Sequence, residues 1–202
     1  MDHVRDMLLI LEDIGHQFIH IPSEVNFTTV SHMIYIHDAG EILAGDLTHS
    51  HPNYDEVRPR VKRREVAAFR LLSRSLEDEP TKTAVRDLYR RVHAKSPEDK
   101  EAQLTDYIDK VQAVRFGLIN VFPPSTMKNP ERRRIQLNHT MTTLFKPANG
   151  LVNSLDSSYS RAEAIGLIKE ELRNFLVQGY KKHEIQPYLD LFLQTSVNGA
   201  SK

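Results

Sequence analysis

A chain of 202 residues is long enough to bury a sizeable core, and its 27 basic and 27 acidic residues, with a pI near 7.2, argue against a general nucleic-acid or anionic-membrane binder. Cysteine is absent, so disulfides and thiolate ligands are excluded and any bound metal must use His and carboxylate. No apolar run approaches the roughly 18 residues needed to span a bilayer, and the start lacks a basic segment followed by an apolar core, so a cytoplasmic protein with no membrane partner is expected.

The pattern along the chain predicts an all-α protein. Val4, Met7, Leu8, Leu11, Ile14 and Phe18 recur at spacings of three and four, which predicts a helix over about 2–20 with His3 bordering its buried face. Pro22 and Ser23 break that pattern, and Asn26 or Thr28 is placed to cap the next helix. This second helix carries Met33-Ile34-Tyr35-Ile36 and then the polar run His37-Asp38-Ala39-Gly40-Glu41, and is expected to end at Gly45. Asp46 and Thr48 fall in the following turn, and 48–53 reads as a loop containing His49 and His51.

Further helices are predicted over about 61–76 and 83–95, separated by the acidic break Glu77-Asp78-Glu79-Pro80. Ser96-Pro97-Glu98 reads as a helix start with Ser96 as cap, opening a helix to about Phe122 with Leu104, Ile108, Val111 and Leu118 on its apolar stripe. Asp106 and Asp109 share a face of that helix. Pro123-Pro124 punctuates, and a linker runs to about Pro130. The last third predicts a helix from Arg132 to about Phe145, a break at 146–150, a helix capped by Ser160 to about Tyr180, an interruption at Pro187, a short apolar closing segment and a frayed tail. The organisation expected is a core over 1–122 and a C-terminal helical extension over 123–202, which either packs on the core or forms a homodimer interface.

Chemistry concentrates at His37 and Asp38. Adjacent imidazole and carboxylate at the inner end of an apolar helix are costly to bury unless something occupies them, and a divalent cation is the usual occupant. On one continuous helix Glu41, four residues past His37 and three past Asp38, shares their face. His16 and His20 are spaced to share a face as well, but no third ligand is evident near them, so they read as surface residues. The runs Lys62-Arg63-Arg64 and Arg132-Arg133-Arg134 read as solvated faces.

His37, Asp38, Glu41, Gly45 and Asp46, at these spacings on an apolar helix, resemble the HD-domain metal-dependent phosphohydrolases, in the branch that contains bacterial 5'-deoxynucleotidases. Two flanks add to the resemblance: the basic-rich segment Lys62–Phe69 after the Gly-Asp turn, and Tyr107–Val114, which looks like the helix holding the family's late metal-binding Asp followed by Lys. The resemblance covers about 1–120. It implies an HD-like helical bundle with additional C-terminal helices, and a metal held by His3, His37, Asp38 and Asp109. That mixed N/O set suits one divalent ion such as Mn, Co, Fe or Zn, with no organic cofactor.

It further implies that the ion polarises a phosphorus centre, that Glu41 and Asp46 are catalytic with Glu41 handling the attacking water, and that Asp46 and Thr48 contact substrate. The activity implied is hydrolysis of a small phosphomonoester, a nucleoside 5'-monophosphate or similar. In that branch a helical segment before the first His supplies an Arg that orients the phosphate. Only Met1 and Asp2 precede His3 here, so that role is not carried over: either this start is internal to a longer product or the site is reduced, and a non-catalytic HD-like scaffold or metabolite-binding protein is the alternative. An HD-type two-iron oxygenase would need further histidines near the His-Asp pair, and no such cluster follows His37 at suitable spacing.

Overall fold

The computed structural model describes residues 3–45, 47, 53–121 and 123–199. Among these the chain forms helices and no strand, as the pattern predicts: α1 (His3–Gln17), α2 (His20–Glu24), α3 (Phe27–Ile36), α4 (Glu41–Ala44), α5 (Tyr54–Ser73), α6 (Glu79–Ala94), α7 (Lys100–Phe116), α8 (Pro130–Ser154), α9 (Ser158–Val177) and α10 (Lys182–Gly199). No helix among them is long and apolar enough to cross a membrane.

The bundle is arranged around α7. Ala102, Gln103, Leu104, Thr105, Tyr107, Ile108, Val111, Gln112 and Val114 are all buried, so this helix is enclosed on most sides rather than along one stripe. It packs against α1, α3, α6 and α8. One hydrophobic cluster runs from Met7, Ile10, Leu11 and Ile14 of α1 through Val30 and Ile34 of α3 and Leu104, Ile108 and Val111 of α7. It continues into Met141, Leu144 and Leu151 of α8, Ile168, Leu172 and Phe175 of α9, and Ile185 and Phe192 of α10. Each fully buried side chain of this kind contributes about 1.5–3 kcal/mol. Four of them on α1 dock that helix firmly, which matters because its first turn carries His3.

A smaller cluster of Met33, Val92 and Ala102 joins α3, α6 and α7. Helix α5 lies outside both clusters and is held by α4 and α6, with Phe69 stacked on Tyr89 at 3.6 Å between ring centroids.

Several boundaries differ from the pattern-based expectation, and each has a local cause. Helix α3 stops at Ile36 instead of continuing to Gly45. His37 to Gly40 form a tightened turn, with Ala39 N–H donating to Ile36 O and Glu41 N–H to Asp38 O, before α4 adds a single turn. A Cβ on Gly40 would stand 2.5 Å from both the Glu65 carbonyl oxygen and the Tyr89 hydroxyl, so this turn is pressed against α5 and α6. Gly45, at φ +79°, ends α4 as expected.

Asn26 is the cap of α3, accepting from Thr29 N–H at 3.0 Å, but Pro22 and Ser23 lie inside α2, where a first-turn proline removes only an N–H without a helical partner. The acidic break is itself a helix start: Asp78 caps α6 and Pro80 sits in its first turn. Asp99, not Ser96, caps α7, accepting from Ala102 N–H, and Ser157, not Ser160, caps α9, accepting from Ser160 N–H. The fold absorbs Pro59, Pro147 and Pro187 within helices: α5 starts at Tyr54, α8 runs unbroken through 146–150, and α10 runs through Pro187. At Pro147 buried packing along α7 offsets the missing hydrogen bond.

Candidate metal centre

Three helices meet at one small cluster of acceptors. On α3, Val30, Met33 and Ile34 face the core, and the 3.6-residue period carries that face to His37, which is 8% exposed. Its Nδ1–H donates to Ile34 O in the last turn, at 2.7 Å. A carbonyl only accepts, so Nδ1 carries a proton and Nε2 is the nitrogen turned inward.

His3 opens α1 one turn before the buried Met7. Its Nδ1 meets Gln112 Oε1 on α7 at 2.8 Å, while the amide nitrogen of Gln112 faces Asp6 Oδ2 at 3.4 Å. That second contact sets which way the amide points, so Oε1 is the acceptor and His3 also carries its proton on Nδ1.

The two Nε2 atoms then face each other at 3.1 Å. Asp38 Oδ2 stands 3.0 Å from His37 Nε2 and 3.5 Å from His3 Nε2. From α7, Asp109 Oδ1 is 3.5 Å from His3 Nε2, and Asp109 Oδ2 accepts from Lys110 Nζ at 2.5 Å. One ligand atom each from His3, His37 and Asp109 lie within 4.8 Å of one another. Lone pairs converging at such distances repel unless a cation, or a proton, sits among them, so the donor set fits a divalent ion of the transition series. The side chains of His3 and Asp38 are 35% and 44% exposed, so the cluster opens to solvent on that side.

The electrostatics agree with an acceptor-rich site. Burial works against charge on His37, but the hydrogen bond and charge of Asp38, with Asp109 behind, hold its pKa above the ordinary 6.5. Burial also opposes ionisation of Asp38, and His37, His3 and Lys110 overcome it, so this carboxylate is held below its ordinary range. Lys110 is kept charged: desolvation lowers its pKa, and Asp109 more than restores it.

Glu41 begins α4 rather than sharing a helix with His37. Behind it, burial together with the negative charges of Glu65, Glu41 and Asp38 pushes the Tyr89 hydroxyl up to about 12. Desolvation depresses the pKa of His93, whose buried Nε2 meets no partner among the described residues. Asp46 and Thr48, along with His49 and His51, lie outside the described residues.

Of the two acids on α7, Asp109 faces the histidines and Asp106 pairs with Lys95. His16 is an exposed partner of Glu12, and His20 stacks on Tyr159. In the basic runs, Lys62 pairs with Glu65 and Arg64 reaches Ala44 O, while Arg133 is bound into a hydrogen-bonded cluster with Glu184. Gln112 is the neighbour that pattern reading missed. Its signal was present: a polar residue three positions after Asp109, between the apolar Val111 and Val114.

The family model for the HD domain matches residues 18–138, a span that contains His37, Asp38 and Asp109 and begins after α1. The chain matches no curated protein and no solved structure in the corresponding comparisons. The match extends over more than half of the chain and includes the His37-Asp38 pair itself, so the chain belongs to the HD domain family, whose members are in general metal-dependent hydrolases.

Proposed function

We propose that this protein is a divalent-metal-dependent phosphomonoesterase acting on a small phosphate, with nucleoside 5'-monophosphates as the leading substrate class, and that His3, His37, Asp38 and Asp109 hold its metal. The observation that carries the reading is the pair of Nε2 atoms at 3.1 Å, each turned inward by a contact at its own Nδ1, flanked by two carboxylates and open to solvent on one side. A closed structural site would have no need of the open side.

When bound, a divalent ion supplies Lewis acidity toward a phosphoryl oxygen and acidifies water. The chain's own groups divide the remaining work. Glu41 accepts the proton of the attacking water. Asp46 and Thr48, which follow α4 in the sequence, contact the substrate. Lys110 commits one of its three N–H donors to Asp109, and its charge beside the cluster favours an anionic ligand.

The test is phosphate release from a panel of monophosphates with Mn, Co, Fe or Zn, comparing wild type with Glu41→Gln. Turnover should appear with at least one metal and fall about 10²–10⁴-fold in the variant while metal content is retained. Metal uptake without phosphate release from any monophosphate would overturn the hydrolase and leave a metal-binding scaffold. Equal turnover of the two proteins would remove Glu41 from the reaction.

A further inference from the structure

We infer that Gln112 is the positioning residue that turns His3 into a metal ligand. The inference rests on the metal centre proposed above and assigns a task to a residue which takes no part in ligation. His3 stands on the first turn of α1, a helix outside the segment matched by the HD domain family, whereas Gln112 stands on α7 inside it. The buried residues Met7, Ile10, Leu11 and Ile14 fix where α1 lies, but hydrophobic contact is non-directional and does not set the rotation of an imidazole at the helix end. A 35% exposed His at that position has two tautomers and two ring orientations open to it.

Gln112 selects among them. Its Oε1 accepts a hydrogen bond from His3 Nδ1–H at 2.8 Å, which sends Nε2 toward His37 Nε2 at 3.1 Å and Asp109 Oδ1 at 3.5 Å. The amide is itself held, because its nitrogen faces Asp6 Oδ2 at 3.4 Å, three residues along α1 from His3. The side chain thus spans one turn of α1 and ties it to the helix that supplies Asp109. Its burial, at 7% exposure, removes the competition of bulk water for these contacts. The His37 imidazole has the same arrangement built from its own helix, with Ile34 O as acceptor. Both histidines are therefore set by an acceptor on the distal nitrogen, which is how metal-ligating imidazoles are oriented and made more basic.

The experiment compares Gln112→Met and Gln112→Glu, reading Zn or Mn affinity by chelator competition and the melting temperature of the metal-free protein. Gln112→Met keeps the volume and removes the acceptor. Its metal affinity should fall about 10–100-fold, with the metal-free melting temperature shifted by only a few degrees. Gln112→Glu, made together with Asp6→Asn so that a donor again faces the second oxygen, keeps an acceptor for Nδ1–H and should restore affinity to within a few-fold of wild type. In zinc-loaded wild type, nitrogen NMR should show His3 protonated on Nδ1 alone, a readout that needs no variant to fold.

Undiminished affinity in Gln112→Met overturns the inference, as does equal loss in Gln112→Glu with Asp6→Asn, because a packing role would not distinguish the two. A proton on His3 Nε2 overturns it directly. A wild-type chain that takes up no metal overturns the centre itself, an outcome distinct from wild type and Gln112→Met binding equally well.

Discussion

Two polar clusters of this molecule look alike in composition and are opposite in design. At Arg133 the charged groups find complements. The guanidinium donates to both carboxylate oxygens of Glu184 at 2.8 and 3.0 Å, to Pro124 O at 2.6 Å and to Gly179 O at 2.7 Å, and lies over the Tyr180 ring. Glu184 in turn accepts from Lys181 N–H at 2.7 Å. At His3, His37, Asp38 and Asp109 the reverse holds: acceptors face acceptors, with Lys110 bringing positive charge against Asp109. On the proposal above, the difference separates a structural clamp between α8 and α10 from a metal site.

The comparison breaks most visibly at Asp38. Asp38→Asn removes a charge from the acceptor set, and metal affinity should drop by about two orders of magnitude or more, roughly 2.7 kcal/mol or above. The stability of the metal-free protein should change by only about 1 kcal/mol, since this side chain is 44% exposed. Differential scanning with and without metal reads both quantities: wild type gains melting temperature on adding metal and the variant does not. An Asp38→Asn protein stabilised by metal as strongly as wild type would erase the distinction between the clusters.

The clamp should fail in the opposite way. Arg133→Met strips Glu184 of its charged partner and leaves two backbone carbonyls without that donor, and should cost about 2–3 kcal/mol in urea unfolding. The loss should be the same with metal present or absent, with metal affinity unchanged. A metal-dependent loss would mean that α8 and α10 communicate with the centre.

How much of this could be read from the sequence follows the same line. The helical period exposed the apolar faces, and the His37-Asp38 pair at the end of an apolar run drew attention to the cluster proposed as the metal centre, because both are local signals. What escaped was set by tertiary contact. Asp78, Asp99 and Ser157 took the capping positions because the packed helices start there, and Pro147 was absorbed because α8 is buried along α7. The break between α3 and α4 depends on Gly40 meeting the Glu65 carbonyl and Tyr89, residues distant in sequence. Gln112 declared itself as an inward polar residue, but its partner His3 lies over a hundred positions away, which no periodicity encodes.

The smallest effect is also the one in which the two clusters carry opposite signs. Arg133 beside Glu184 draws its pKa from 4.5 down to about 2 in the folded chain. A depressed carboxylate binds fewer protons folded than unfolded, so its stabilisation is in place above about pH 4.5 and is lost as pH falls toward 2. His37 runs the other way. Its pKa is raised in the folded, metal-free chain, so its contribution is present below about pH 6.5 and fades as pH rises through the folded value. Glu184→Gln should therefore flatten the acid limb of a stability-versus-pH curve between about 4.5 and 2, leaving the neutral limb untouched. Saturating metal should displace the His37 proton and alter the neutral limb, leaving the acid limb in place. Urea unfolding of wild type and Glu184→Gln across pH 3 to 8, with and without metal, resolves the two limbs. If Glu184→Gln moved the neutral limb instead, the closed cluster would be coupled to the open one, and the contrast between them would no longer be one of independent sites.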